Sequence, residues 1–149
     1  MPRRLNAALA LIAMTNEVEV YFALKGDDLD PDAFTKLSGL APTDVFRKGE
    51  PGRYVKTYKF GLWQVSTGRI ANDVLLIDEI ADQLIEKIAG AADCFAKVVS
   101  EQKLYAVLEV VLYISMDEKL STPALGFSSQ TIEFLHKVGA TIDVDIYRN

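Results

Sequence analysis

From Glu17 to Leu24 the chain alternates, with Val18, Val20, Phe22 and Leu24 on one side and Glu17, Glu19 and Tyr21 on the other. Period two predicts a half-buried strand, which Gly26-Asp27-Asp28 ends. Asp30 then stands as N-cap of a short helix, with Pro31 in its first position and Gly39 closing it. Asp44 to Lys48 predicts a short strand. Tyr54 to Thr67, rich in aromatic and β-branched residues, predicts its hairpin partner, with Gly61 marking a bend or bulge.

Ile77, Ile80, Ala81, Leu84, Ile85 and Ile88 follow the spacing of one buried helical stripe. Asn72 or Asp73 is its expected cap and Gly90 its expected kink, after which Phe95, Val98 and Val99 continue the apolar face. Leu104 to Ser115 predicts the strongest strand. A helix follows over 129–138, stopped by Gly139, and then an alternating strand with Ile142, Val144 and Ile146 inward. Residues 1–16 form an apolar extension in which Leu5, Leu9 and Ile12 take helical spacing. Arg3 and Arg4 before it give the outline of a signal peptide, but Asn6 and the Thr15-Asn16-Glu17 segment suit one poorly, so a cytoplasmic chain is expected.

The order β-α-β-β-α-β, then α-β, predicts a single α+β domain over 17–149. The expected fold is a ferredoxin-like split βαβ with a C-terminal α-β extension, an antiparallel-rich sheet with helices mainly on one face. A chain of 149 residues with half its positions apolar is too hydrophobic for disorder and suits one domain. One Cys excludes a disulfide framework, and one His makes His-based zinc sites and triads hard to build. No apolar run approaches the roughly 20 residues that span a bilayer, so no membrane is expected.

The strand at 104–115 has two apolar faces. Leu104, Ala106, Leu108, Val110, Leu112 and Ile114 make one; Tyr105, Val107, Glu109, Val111 and Tyr113 make the other. With helices on one side only, the second face would be left wet, so a cover is expected: the N-terminal segment, a second subunit or a ligand. Glu17, Glu19, Tyr21, Asp143, Asp145 and Tyr147 hold the non-core positions of their strands. Aligned with Glu109, they would make that face acidic and tyrosine-rich, or simply the outer face of an antiparallel sheet. Glu109 needs solvent, a donor or a positive partner.

The formal charge of −5 hides a division. Residues 47–69 carry six cations (Arg47, Lys48, Arg53, Lys56, Lys59, Arg69) and one acid, Glu50, hence +5 against −10 elsewhere. Tyr54, Tyr58, Phe60 and Trp63 are interleaved. This mixture suggests an anion or small-ligand site built on Arg47, Lys48, Lys56, Lys59 and Trp63. Single-stranded nucleic acid is disfavoured, because the acidic remainder would repel a polyanion. Asp28-x-Asp30-x-Asp32 opens like a calcium loop but lacks its glycine and distant Glu, so helix capping is the better reading and no metal or cofactor is expected. Cys94 reads as a small buried hydrophobe and His136 as a solvated helix-end residue.

Several stretches resemble a bacterial family known as domain of unknown function 4279. They are Val20-x-Phe22-x-Leu24-x-Gly26-Asp27-x-Leu29-Asp30-Pro31, Leu37-x-Gly39-Leu40-x-Pro42-Thr43, Lys48-Gly49, Trp63-x-Val65-Ser66-Thr67, and Phe134-Leu135-x-x-Val138-Gly139-Ala140-x-Ile142 through Tyr147. The resemblance covers about 17–147. Its motifs are turns, caps and core positions, and it implies a bacterial α+β domain without supplying an activity or a site. The expectation is a non-catalytic interaction module, a homo-oligomer or dimer, or the partner of a basic protein such as a toxin for which it is the antidote. Its contact would be Tyr105, Val107, Glu109, Val111, Tyr113, Glu19 and Tyr21. Catalysis would need Glu109 and Asp145 in one cleft as acid and base.

Overall fold

The computed structural model describes residues 15–148, so the N-terminal helix expected around Leu5, Leu9 and Ile12 lies outside the described residues. The elements are β1 (Glu17–Gly26), α1 (Pro31–Ser38), β2 (Asp44–Phe46), β3 (Gly61–Ser66), β4 (Ile70–Ala71), α2 (Ile77–Ile88), α3 (Ala92–Gln102), β5 (Tyr105–Ile114), α4 (Ser129–Val138) and β6 (Thr141–Arg148). The chain is α+β, with a mixed, mostly antiparallel open sheet in the order β2-β3-β1-β5-β6 and β4 also on β1. Only β5 and β6 run parallel, joined by the crossover through α4.

One face of this sheet is apolar and carries the core. Val18, Val20, Phe22 and Leu24 of β1, Trp63 and Val65 of β3, and Leu104 with the even-numbered residues 106–114 of β5 pack against α1, α2, α3 and α4. The α2 stripe of Ile77, Ala81, Leu84, Ile85 and Ile88 is buried as its spacing predicts. Phe95 lies at the centre, edge-on to Phe22 at 5.3 Å and to Trp63 at 5.6 Å between ring centroids. A 3-10 turn, Ala89–Ala91, holds Gly90 and separates α2 from α3.

Capping follows the predicted residues at α1, adds an N-cap not predicted from the sequence at α4, and departs from the prediction at α2. Asp30 accepts from the amides of Asp32 and Ala33, and Gly39 closes α1 with φ 73°. Ser128 caps α4, and its side chain, with that of Thr131, hydrogen-bonds Asp82 of α2. By contrast, α2 starts at Ile77 behind Leu76 with no side-chain cap, so neither Asn72 nor Asp73 serves. Asp78 and Glu79 in its first turn complement the positive end of the helix dipole instead.

Two further expectations are corrected. The strand predicted from Tyr54 shrinks to Gly61–Ser66, and Gly61 marks close packing instead of a bulge, since a Cβ there would lie 2.0 Å from the Leu29 carbonyl oxygen. The bulge falls later. Tyr21 pairs Ser66 and Val18 pairs Ile70, leaving Glu19 and Val20 opposite Thr67, Gly68 and Arg69. Gly68 takes φ 68° to accommodate the extra residue. At the far edge, Val144 packs on the core, whereas Ile142 and Ile146 remain 38% and 57% exposed because β6 has no strand beyond it among the described residues.

Candidate functional site

The second face of the sheet carries the unusual chemistry. Antiparallel pairing sets Tyr21 opposite Glu109 and Glu19 opposite Val111. Parallel pairing then sets Glu109 beside Asp143, Val111 beside Asp145 and Tyr113 beside Tyr147. Because side chains repeat every second residue, these groups all point to one side. One carboxylate oxygen from each of Glu109, Asp143 and Asp145 lies within 4.8 Å of the other two.

Three acids so close together cannot all ionise without mutual repulsion. Glu109 is 5% exposed and its Oε1 is buried with no hydrogen-bond partner among the described residues, while Asp143 and Asp145 are exposed. Burial, then hydrogen bonding to Asp145 and Asp143 and their negative charge, pushes Glu109 up to about 8. Tyr21, half-buried beside it, is pushed up to about 12 by burial and by the charges of Glu109, Glu19, Asp145 and Asp143.

The cations of this face are engaged at its ends. Arg69 pairs with Glu17 at 3.5 Å and its guanidinium carbon lies 3.5 Å from the Tyr113 ring centre, where Tyr113 stacks on Tyr147. Lys25 lies over the Phe60 ring at 4.1 Å. Glu19 accepts from the Ser66 hydroxyl at 2.8 Å, tying β1 to β3.

Of the seven residues expected to form a contact, Val107, Glu109 and Val111 are buried within the chain, Glu19, Tyr21 and Tyr113 are half-buried, and only Tyr105 is exposed. The centre of this face is therefore covered more fully than a bare outer sheet surface. The residues expected to hold an anion do not converge. Trp63 is fully buried and donates its indole N–H to Thr35 Oγ1 at 3.1 Å, so it belongs to the core and cannot stack on a ligand. Arg47 is held by Asp32 through two hydrogen bonds of 2.6 and 2.9 Å, with Glu50 at 3.7 Å. That pair keeps the Asp32 carboxyl below its ordinary range.

Lys48, Lys56 and Lys59 are exposed. Lys59 lines a cavity of about 380 Å³ with Arg53, Tyr54, Phe60 and the stacked pair Phe46 and Tyr58, whose ring centres are 4.2 Å apart. Tyr54, Tyr58 and Phe60 were legible as part of a basic aromatic segment, but Phe46 was not, because its place depends on the pairing of β2 with β3.

Among the described residues no helix is long and apolar enough to cross a membrane. Searches of curated proteins and of solved structures give no match. A family model described as Domain of unknown function (DUF4279) matches residues 16–149, nearly the whole chain, and the protein belongs to that family.

Proposed function

We propose that this chain is a non-catalytic binding module that pairs with a second copy of itself through the outer edge of β6. The observation that carries the reading is the state of that edge. β6 is eight residues long, holds no Pro or Gly, carries its charges as Asp143, Asp145 and Arg148, and leaves Ile142 and Ile146 in solvent. A long edge with unpaired backbone groups and exposed isoleucines is a template for another strand, and its charges limit that pairing without abolishing it. A β6 edge set antiparallel against its own copy makes a self-complementary two-fold contact and continues the sheet. The contact moves from the face expected at the outset to its rim, because Val107 and Val111 are already buried.

Light scattering over a concentration series tests this, with twice the 16.5 kDa chain mass expected. Ile146→Lys should return the mass to one chain with its circular dichroism unchanged. A wild-type mass of one chain at every concentration overturns the reading. The strand order β2-β3-β1-β5 further supports a ferredoxin-like split βαβ carrying α4 and β6 as an extension.

The aromatic cavity supports a second reading, a site for a flat apolar ligand bearing an anionic group, held between Tyr58 and Phe60 with Arg53 and Lys59 at its rim. Thermal-shift screening with aromatic carboxylates, repeated in Lys59→Glu, separates the two.

A further inference from the structure

We propose that Glu109, Asp143 and Asp145 form a divalent-cation site on the open face of the sheet, suited to a hard, oxygen-seeking ion such as Mg2+, Mn2+ or Ca2+. Such ions bind oxygens at about 2.0–2.6 Å, so two ligands of one ion lie no more than about 4–5 Å apart. The three carboxylate oxygens lie within 4.8 Å of one another, so a small inward shift of the exposed aspartates brings all three onto one ion. The backbone dictates their closeness, because parallel β5–β6 register sets Glu109 against Asp143 and period two brings Asp145 to the same side.

The acidic cluster is joined by a second observation. Glu109 is nine-tenths buried, its Oε1 has no hydrogen-bond partner among the described residues, and its carboxyl group is directed at the two exposed aspartates. A buried carboxyl oxygen in that state is open to a positive partner, which would displace the proton Glu109 otherwise keeps. The described cations of this face do not supply one: Arg69 is engaged with Glu17 and Tyr113, and Lys25 with Phe60. An all-carboxylate donor set favours Mg2+, Ca2+ or Mn2+ over zinc or copper. Exposure of Asp143 and Asp145 leaves the outer side of such an ion to water, which suits Mg2+ in particular.

The full-length protein, stripped with a chelator, should be titrated with MnCl2 while the free-ion electron paramagnetic resonance signal is read. The expected result is one Mn2+ taken up per chain, displaced by Mg2+ or Ca2+ and unaffected by NaCl at matched ionic strength. Asp143→Asn and Asp145→Asn alter exposed side chains and should each weaken uptake at least tenfold while the chain stays folded. Absence of uptake at millimolar Mn2+, or uptake unchanged in both variants, overturns the proposal. The site lies within one chain, so uptake must persist in Ile146→Lys, and its loss there would also count against the proposal as stated. Failure of β6 pairing is read separately, from mass.

Discussion

The corner where α1 meets β2 and β3 and the open face of β5 and β6 treat polar groups in opposite ways. In the corner, Trp63 reaches Thr35, Asp32 holds Arg47, and Asp30 caps the helix that carries Thr35. On the open face, Glu109 is buried between two further acids, its Oε1 unbonded among the described residues. A satisfied polar group contributes modestly to stability, whereas a buried unsatisfied one is costly. Removing a polar group should therefore have opposite signs in the two regions: loss of stability in the corner, gain on the open face.

The largest effect should come from overfilling the corner. Gly61→Ala puts a methyl group against the Leu29 carbonyl and should cost up to about 3 kcal/mol in urea unfolding, since backbone cannot swing aside as a side chain can. Next is the open face. With chelator present at pH 8.5, Glu109→Gln should stabilise the fold by about 2 kcal/mol, because it removes a buried charge and keeps the shape.

The same region sets a pH dependence with a definite sign. Between the ordinary value of 4.5 and about 8, the folded chain keeps a proton on Glu109 that the unfolded chain has released. Stability contributed by this group is complete below that window and falls as pH rises through it. The groups facing Glu109, namely Tyr21 from β1 and Asp143 and Asp145 from β6, are acids or a phenol and add no opposing positive charge. Urea midpoints measured from pH 5 to 8.5 should decline in the wild type and flatten in Glu109→Gln.

Smaller effects return to the corner. Trp63→Phe loses the indole hydrogen bond to Thr35 and should cost about 1 kcal/mol in the same unfolding assay. Asp32→Asn should change least, because both partners of the Arg47 pair face solvent. Its trace should be confined to the acid side. Asp32 is held below its ordinary value, so what it contributes is lost as pH falls, and only there should the variant and wild type converge.

Much of this architecture was legible in the chain because local rules decide it. Alternation placed β1 and β6, a long apolar run placed β5, the isoleucine stripe placed α2, and Asp30, Pro31 and Gly39 bounded α1. Residues whose role depends on distant pairing were less legible. Gly61 read as a bend because nothing in the chain shows that Leu29 lies against it. Trp63 read as a ligand platform for its cationic neighbours, although period two puts it on the core side with Val65. The carboxylates of Glu109, Asp143 and Asp145 could be assigned to outer faces, but their meeting required the parallel β5–β6 register. Ile142 and Ile146 do lie on the core face, beside Leu108 and Leu112, but stay exposed, because alternation chooses a face and does not supply a cover at the sheet edge.

Whether the open-face carboxylates hold a cation from outside the chain is tested most directly by anomalous diffraction from crystals soaked in MnCl2. A manganese peak is expected within coordination distance of Glu109, Asp143 and Asp145. A map with no peak there, or with one of the chain's own Lys or Arg side chains seated among the three carboxylates, would contradict it.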